Sequence, residues 1–243
     1  MIVDYLQRGV VAGGSAGLAY GMYVVFVGNP FTEYLHDAGH DHGHGHDHAH
    51  DHSHAVSETT NFVVSAGSGV LWAIFLGGLF AIALYVFEPA LPGSTSVKSY
   101  VMAGAGFFSV SVTPWLVLPP AAPGAEQLYP IETRLWLYAA LVVLGVIVSI
   151  VAVATFERAG SRTLGIVYGA VPILAVVVVL PIVTPTVVTH PDLAGEAVSV
   201  YQALAAFSQA GIWLLIAASF NWLRRYADPP ERESATDEPL ATA

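Results

Sequence analysis

Residues 40–54 read HDHGHGHDHAHDHSH, with a histidine at every second position. Neutral imidazole is a good ligand for borderline divalent ions such as cobalt, nickel, copper and zinc. An unperturbed pKa of about 6.5 leaves most of these rings free to ligate near neutral pH. Candidate ligands are therefore His36, His40, His42, His44, His46, His48, His50, His52 and His54. Asp37, Asp41, Asp47 and Asp51 add negative field and an occasional oxygen donor, while Gly43, Gly45, Ala49 and Ser53 deny the tract a regular scaffold. Such a tract can hold a metal in many interchangeable ways. That suits fast, weakly selective capture and release and does not suit a structural zinc site. The competing reading is a low-complexity expansion with incidental affinity.

A second group is a candidate ion relay. His190 stands alone in TPTVVTHPDLAGE, with Asp192 and Glu196 just after it, and Glu126 and Glu132 lie in another polar connection. Together they could pass an ion inward, although a lone histidine near a helix end is more often a plain surface residue. Glu88 closes the second apolar stretch. It is expected to meet water and Lys98 rather than an exiting ion.

What must position these groups is a membrane scaffold. Of the 243 residues, 55% are hydrophobic and 11% are charged, less than half the charge of an ordinary soluble domain. Six apolar stretches are long enough to cross a hydrocarbon core, at residues 9–27, 62–87, 100–118, 135–156, 164–188 and 198–223. The predicted fold is an all-α integral membrane protein of about six transmembrane helices. Residues 1–223 form the polytopic domain, 28–61 a disordered His-rich external loop, and 224–243 a disordered acidic tail. The first stretch is read as a span rather than an export signal. Its start is not strongly basic, and Gly13, Gly17 and Gly21 are spaced for packing against a neighbouring helix.

Orientation follows from the basic residues, which collect in cytoplasmic loops. With six spans and a cytoplasmic N-terminus, Arg8, Lys98, Arg158, Arg162, Arg224, Arg225 and Arg232 fall inside and only Arg134 falls outside. Five spans would move the C-terminal arginines outside. The favoured topology has both termini cytoplasmic in the cell membrane, with the histidines facing out.

Small residues four apart also recur at Gly69, Ala73, Gly77 and Ala81, and at Gly165 and Gly169. They let helix backbones approach where lipid supplies no hydrophobic drive. The fifth stretch carries Pro172, Pro181 and Pro185. Prolines there mark either a lined pathway or a merely kinked helix.

Several functions are excluded or disfavoured. There is no cysteine, hence no disulfide, thiolate site or cysteine nucleophile. No basic stripe exists to bind nucleic acid. No glycine-rich phosphate loop is present for ATP hydrolysis. No nucleophile–base arrangement marks an enzyme, and no carboxylate sits clearly at mid-bilayer for a proton relay. Gln202, Ser208, Gln209, Ser109, Ser111 and Thr113 are the polar groups available at that depth. The acidic balance, 18 acidic residues against 8 basic with Lys98 the single lysine, suits the cytoplasm of a halophile, which points to an archaeal source.

The chain resembles the CbtA family of cobalt transporter subunits. The landmarks, in order, are a Gly/Ala-rich first helix, the His-rich acidic loop and FSVSVTPWLVLPPAAPG. In that last segment Pro114, Leu118, Pro119, Pro120, Pro123 and Gly124 match the family's Leu-Pro-Pro turn. LWLYAA around Trp136 follows, then ALAAFSQAGIWLLIA with Phe207 and Trp213. The family commonly has a glutamate after the Pro-Pro pair, where this chain has Ala121, so Glu126 would have to take over any role of that carboxylate. Its members are often described with five spans. The resemblance implies uptake of cobalt for cobalamin synthesis beside a small His-containing membrane partner (CbtB). On that reading no cofactor is bound permanently, and the metal, cobalt or alternatively nickel or zinc, is cargo. Apart from the resemblance, the residues also suit a membrane-anchored metal sensor or buffer. Six spans are more than an anchor needs, which favours transport.

Overall fold

The computed structural model describes residues 2–40, 58–185 and 187–227, with side chains over 2–37, 64–185 and 187–226. The first helix, Ile2–Tyr23, passes through a π-helical segment, Val24–Gly28, into Asn29–His40 without a break. The second is Glu58–Phe87 with a short 3-10 extension, Glu88–Ala90. The third runs Thr95–Phe107, π-helical Phe108–Val112 and Thr113–Trp115. Ile131–Glu157, Arg162–Val183 and Gly195–Ala227 complete the set.

Five helices are individually long and apolar enough to cross a membrane. The remaining stretch, predicted at 100–118, is helical over 95–115. At about 1.5 Å per residue that run also reaches roughly 30 Å, but Lys98 and its serines and threonines make it less apolar than the other five. Helix ends differ from the hydropathy limits. The first helix continues through residue 40 and the second starts at Glu58, so the connection expected at 28–61 narrows to 41–57, residues outside the described set. The physical reason is that hydropathy ends where the chain leaves lipid, whereas a helix ends only where its backbone hydrogen bonding is interrupted.

Both π segments have a visible cause. Each is followed two residues later by a proline, Pro30 and Pro114. A helical proline has no N–H for the carbonyl four residues back and its ring crowds that oxygen. Widening the preceding turn to i→i+5 bonding relieves the crowding. The Asn29 amide accordingly donates to Val24 O, and that of Thr113 to Phe108 O. The carbonyl that Pro114 would have left bare, Val110 O, accepts a 2.9 Å hydrogen bond from the Tyr138 hydroxyl.

Packing follows the small residues. The first and second helices run antiparallel with backbones in contact. A Cβ added at Gly13 would lie 2.5 Å from Ala73 O, and one at Gly17 2.9 Å from the Val70 Cα. Gly9 and Gly77 are closed against each other in the same seam, while Gly14 faces open space. Elsewhere Gly106 seats the Trp213 ring and Gly145 seats the Ser109 backbone. The core is a dry cluster in which Leu76, Phe80, Leu84, Ile212, Ile216 and Phe220 are fully enclosed. Large apolar residues such as Leu18, Phe75, Ile182 and Phe207 point outward, the pattern lipid requires.

The fifth helix leans chiefly on the fourth, with Gly165 against Phe156 and Gly169 against Ala152 O. Pro172 and Pro181 lie inside it. It lines neither of two cavities in the bundle, one between the second, third and fourth helices with Trp213 of the last, and one near the end of the first. Its prolines therefore belong to a peripheral helix.

Candidate metal-handling sites

The two ends of the bundle carry different chemistry. At one end the N-terminus, the turn after the second helix and the end of the last helix converge. Arg224 Nη1 lies 2.8 Å from Glu88 Oε1, and the Tyr5 hydroxyl donates to Glu88 Oε2. The Arg224 guanidinium also stacks 5.5 Å from the Tyr5 ring centre. Lys98 Nζ donates 2.7 Å to the Glu88 backbone carbonyl, not to its carboxylate. Asn221 Nδ2 reaches Ser96 O at 3.2 Å. Glu88 is thus a tie-point between four segments, and its carboxylate oxygens are both engaged. Lys98 was legible in the sequence as its neighbour; Arg224 and Tyr5 were not, because they are far away in the chain.

The opposite end is a cap built from two connections. After Pro119 and Pro120 the chain makes a turn in which the Ala125 amide donates 3.2 Å to Ala122 O. Pro123 and Gly124 occupy its centre, and Gly124 has φ +74°, the conformation a type II turn demands at that position. Glu126–Gln127 then pairs antiparallel with Val188–Thr189. His190 follows directly, and its Nε2 accepts a 3.1 Å hydrogen bond from the Ala122 amide. An accepting Nε2 must be unprotonated, so the ring's proton sits on Nδ1.

The relay residues are therefore brought together only in part. Glu126 faces Thr189 across the ladder, next to His190, but it is exposed, as are Glu132 and Asp192. Among the described residues no group of three or more His, Asp or Glu side chains converges as a metal would require. Of the histidine tract, His36 lies exposed on the last helical turns before residue 40, and His40 ends the helix. His42, His44, His46, His48, His50, His52 and His54 lie outside the described residues.

Beside the same end, inside the bundle, is a cavity of about 250 Å³. Tyr20, Tyr23, Asn29, Tyr201, Ser208 and Gln209 supply its polar wall, and Trp115 closes one side. The π-helical segment of the first helix contributes Val24 and Gly28. Tyr23 is fixed by a 3.1 Å hydrogen bond to Leu204 O, and Thr32 by one of 2.9 Å to Gly28 O. Ser208 and Gln209 were already candidates from the sequence. The tyrosines and Asn29 were missed; a cluster of hydroxyl-bearing aromatics in the last turns of an otherwise apolar helix was the available signal. A larger cavity of about 440 Å³ lies towards the other end, among Phe80, Met102, Gly106, Val146, Val153 and Trp213. Its wall is mostly apolar, with Ser109, Ser149 and Glu157 as its polar members.

Long apolar helices and lipid-facing side chains, with the charged side chains of the described residues kept to the two ends, define a multi-pass membrane protein. A family model described as "Probable cobalt transporter subunit (CbtA)" matches residues 2–225, and the chain belongs to that family of membrane transport proteins. No curated protein and no solved structure matched significantly. The family landmarks have distinct structural roles: Trp213 is buried against Gly106, the Pro-Pro turn feeds the His190 cap, and Trp136 and Phe207 face outward.

Proposed function

We propose that this chain is the membrane component of an importer of a divalent transition metal, cobalt destined for cobalamin synthesis, and that its His-rich segment captures the ion outside the cell. In this reading both termini are cytoplasmic. The basic residues support it. The bundle end with Glu88 and Arg224 also carries Lys98 and Arg225, and helix alternation adds Arg158 and Arg162, leaving Arg134 at the cap end. The observation that carries the proposal is the unbroken helix from Ile2 to His40. It carries the backbone past the polar cavity at the cap end to His40, the start of the histidine run, at the end opposite Glu88 and Arg224.

A small His-containing membrane protein of the CbtB type is the proposed partner, consistent with a family described as one part of a transporter. His190, Asp192, Glu126 and Glu132 remain the proposed surface path from tract to bundle. Nickel and zinc are the alternative cargoes. The test is initial uptake of radioactive cobalt into membrane vesicles containing this chain alone and with the partner. Uptake above empty vesicles in either case supports import. Metal bound to the outside of vesicles with no accumulation in either would favour a sensor or buffer.

A further inference from the structure

We propose that the 250 Å³ cavity at the cap end is a resting site for a divalent cation that keeps its water shell, held by neutral oxygen and amide groups rather than by histidine or carboxylate. The inference rests on the import reading and gives it an internal site.

Volume decides the form of the ion. At ~30 Å³ per water, 250 Å³ accommodates about eight waters, room for an ion with an octahedral water shell. The polar wall carries no charged side chain: its groups are the Tyr20, Tyr23 and Tyr201 hydroxyls, Ser208, and the Asn29 and Gln209 amides. Direct coordination of a first-row metal would call for imidazole or carboxylate. Hydroxyl and amide oxygens instead accept hydrogen bonds from the ion's own waters. Such polar residues on spanning helices are costly against lipid, and they are retained where they face a wet cavity or one another.

Placement completes the argument. The first helix lines the cavity at Tyr20–Thr32 and then leads directly to residue 40. On the other side the cavity ends in the dry core. One turn beyond Gln209 the last helix presents Ile212 and Trp213, then Ile216 and Phe220, all buried, packed with Leu76 and Phe80. Water and ion can therefore enter from the cap end and go no further in this conformation. A weak site between a capture tract of many exchanging ligands and a closed plug satisfies the requirement that an ion bind well enough to enter and loosely enough to leave.

The test exploits the absence of cysteine in the chain. Ser208→Cys, and independently Thr32→Cys, are placed in the full chain in proteoliposomes, and their reaction with a neutral water-soluble maleimide is timed. The probes are cobalt(II) and the exchange-inert cobalt(III) hexaammine, which mimics a hydrated ion and cannot be ligated by histidine or thiol. Both should slow labelling several-fold at both positions, including when the histidines of 40–54 are replaced by serine. Labelling at exposed Thr133→Cys, at the same end but outside the cavity, should be unaffected. Protection should weaken several-fold when Gln209→Leu and Asn29→Leu are added. Failure of the hexaammine to protect either position, or protection that survives the leucine pair, would overturn the proposal. Cobalt uptake is measured on the wild-type chain separately. Protection without uptake leaves the cation site standing and removes import; uptake without protection does the reverse.

Discussion

Arg224 and Glu88, 136 positions apart, meet at 2.8 Å where the first, second, third and last helices come together. Tyr5 and Lys98 complete the junction, so each partner of Glu88 comes from a different segment. The pair is mostly sheltered, with side-chain exposures of 23% and 18%. Removing one member leaves the other charge poorly solvated.

Glu88→Leu and Arg224→Leu should each destabilise the protein, by roughly 1–3 kcal/mol on the scale of charge-assisted hydrogen bonds. Tyr5→Phe, which removes a single hydroxyl, should cost less. Thermal unfolding in detergent measures the order. Equal midpoints for wild type and Arg224→Leu would show that the junction does not hold the bundle together.

The glycine seam makes a sharper contrast. Gly13→Leu must push apart two backbones, because its Cβ already meets Ala73 O at 2.5 Å. Folded yield should fall severely. Gly14→Leu, one residue along, enters open space and should leave the yield near wild type. Size-exclusion profiles of the two variants, expressed side by side, decide the matter.

His190 has a structural duty that any relay role must share. His190→Ala leaves the Ala122 amide without its acceptor, a loss of about 0.5–1.5 kcal/mol. The cap should then open more often, read as faster hydrogen exchange at residues 122–128. His190→Gln can restore an acceptor. If Gln restores protection but not cobalt uptake, the imidazole itself serves transport; if it restores both, His190 is a staple.

Topology is open to direct labelling. An impermeant thiol reagent applied to whole cells should modify Ser53→Cys and miss Ser234→Cys, both in segments outside the described residues. The reverse result would turn the protein over and make the histidine tract an exit-side element.

The tract should act as an antenna. Many weak sites raise the local ion concentration at the mouth, so replacing the histidines of 40–54 by serine should depress uptake at scarce cobalt and spare the maximal rate. Ligation requires the deprotonated ring. Binding to a peptide of this segment should therefore be strong above pH ~6.5 and fade as pH falls below it. Uptake abolished even at saturating metal would make the histidines part of the path. Binding equal at pH about 7.5 and 5.5 would pass the ligand role to the aspartates.

By itself the sequence determined the class of molecule, the approximate spans, the unequal charge of the two ends and the presence of a histidine-rich tract. These are local properties: hydropathy, spacing and side-chain chemistry need no partner to be read. Gly13 and Gly17 were recognisable as packing residues for the same reason. Tertiary structure alone decided which residues meet. Tyr20 and Gln209 share a cavity, Arg224 finds Glu88, and His190 gives its lone pair to Ala122, because the packing of the bundle brings together residues remote in sequence. The first helix outruns its apolar stretch for a different reason. Leaving lipid removes the drive to bury side chains, but the i→i+4 ladder, and the π turn that absorbs Pro30, carry the backbone on to His40.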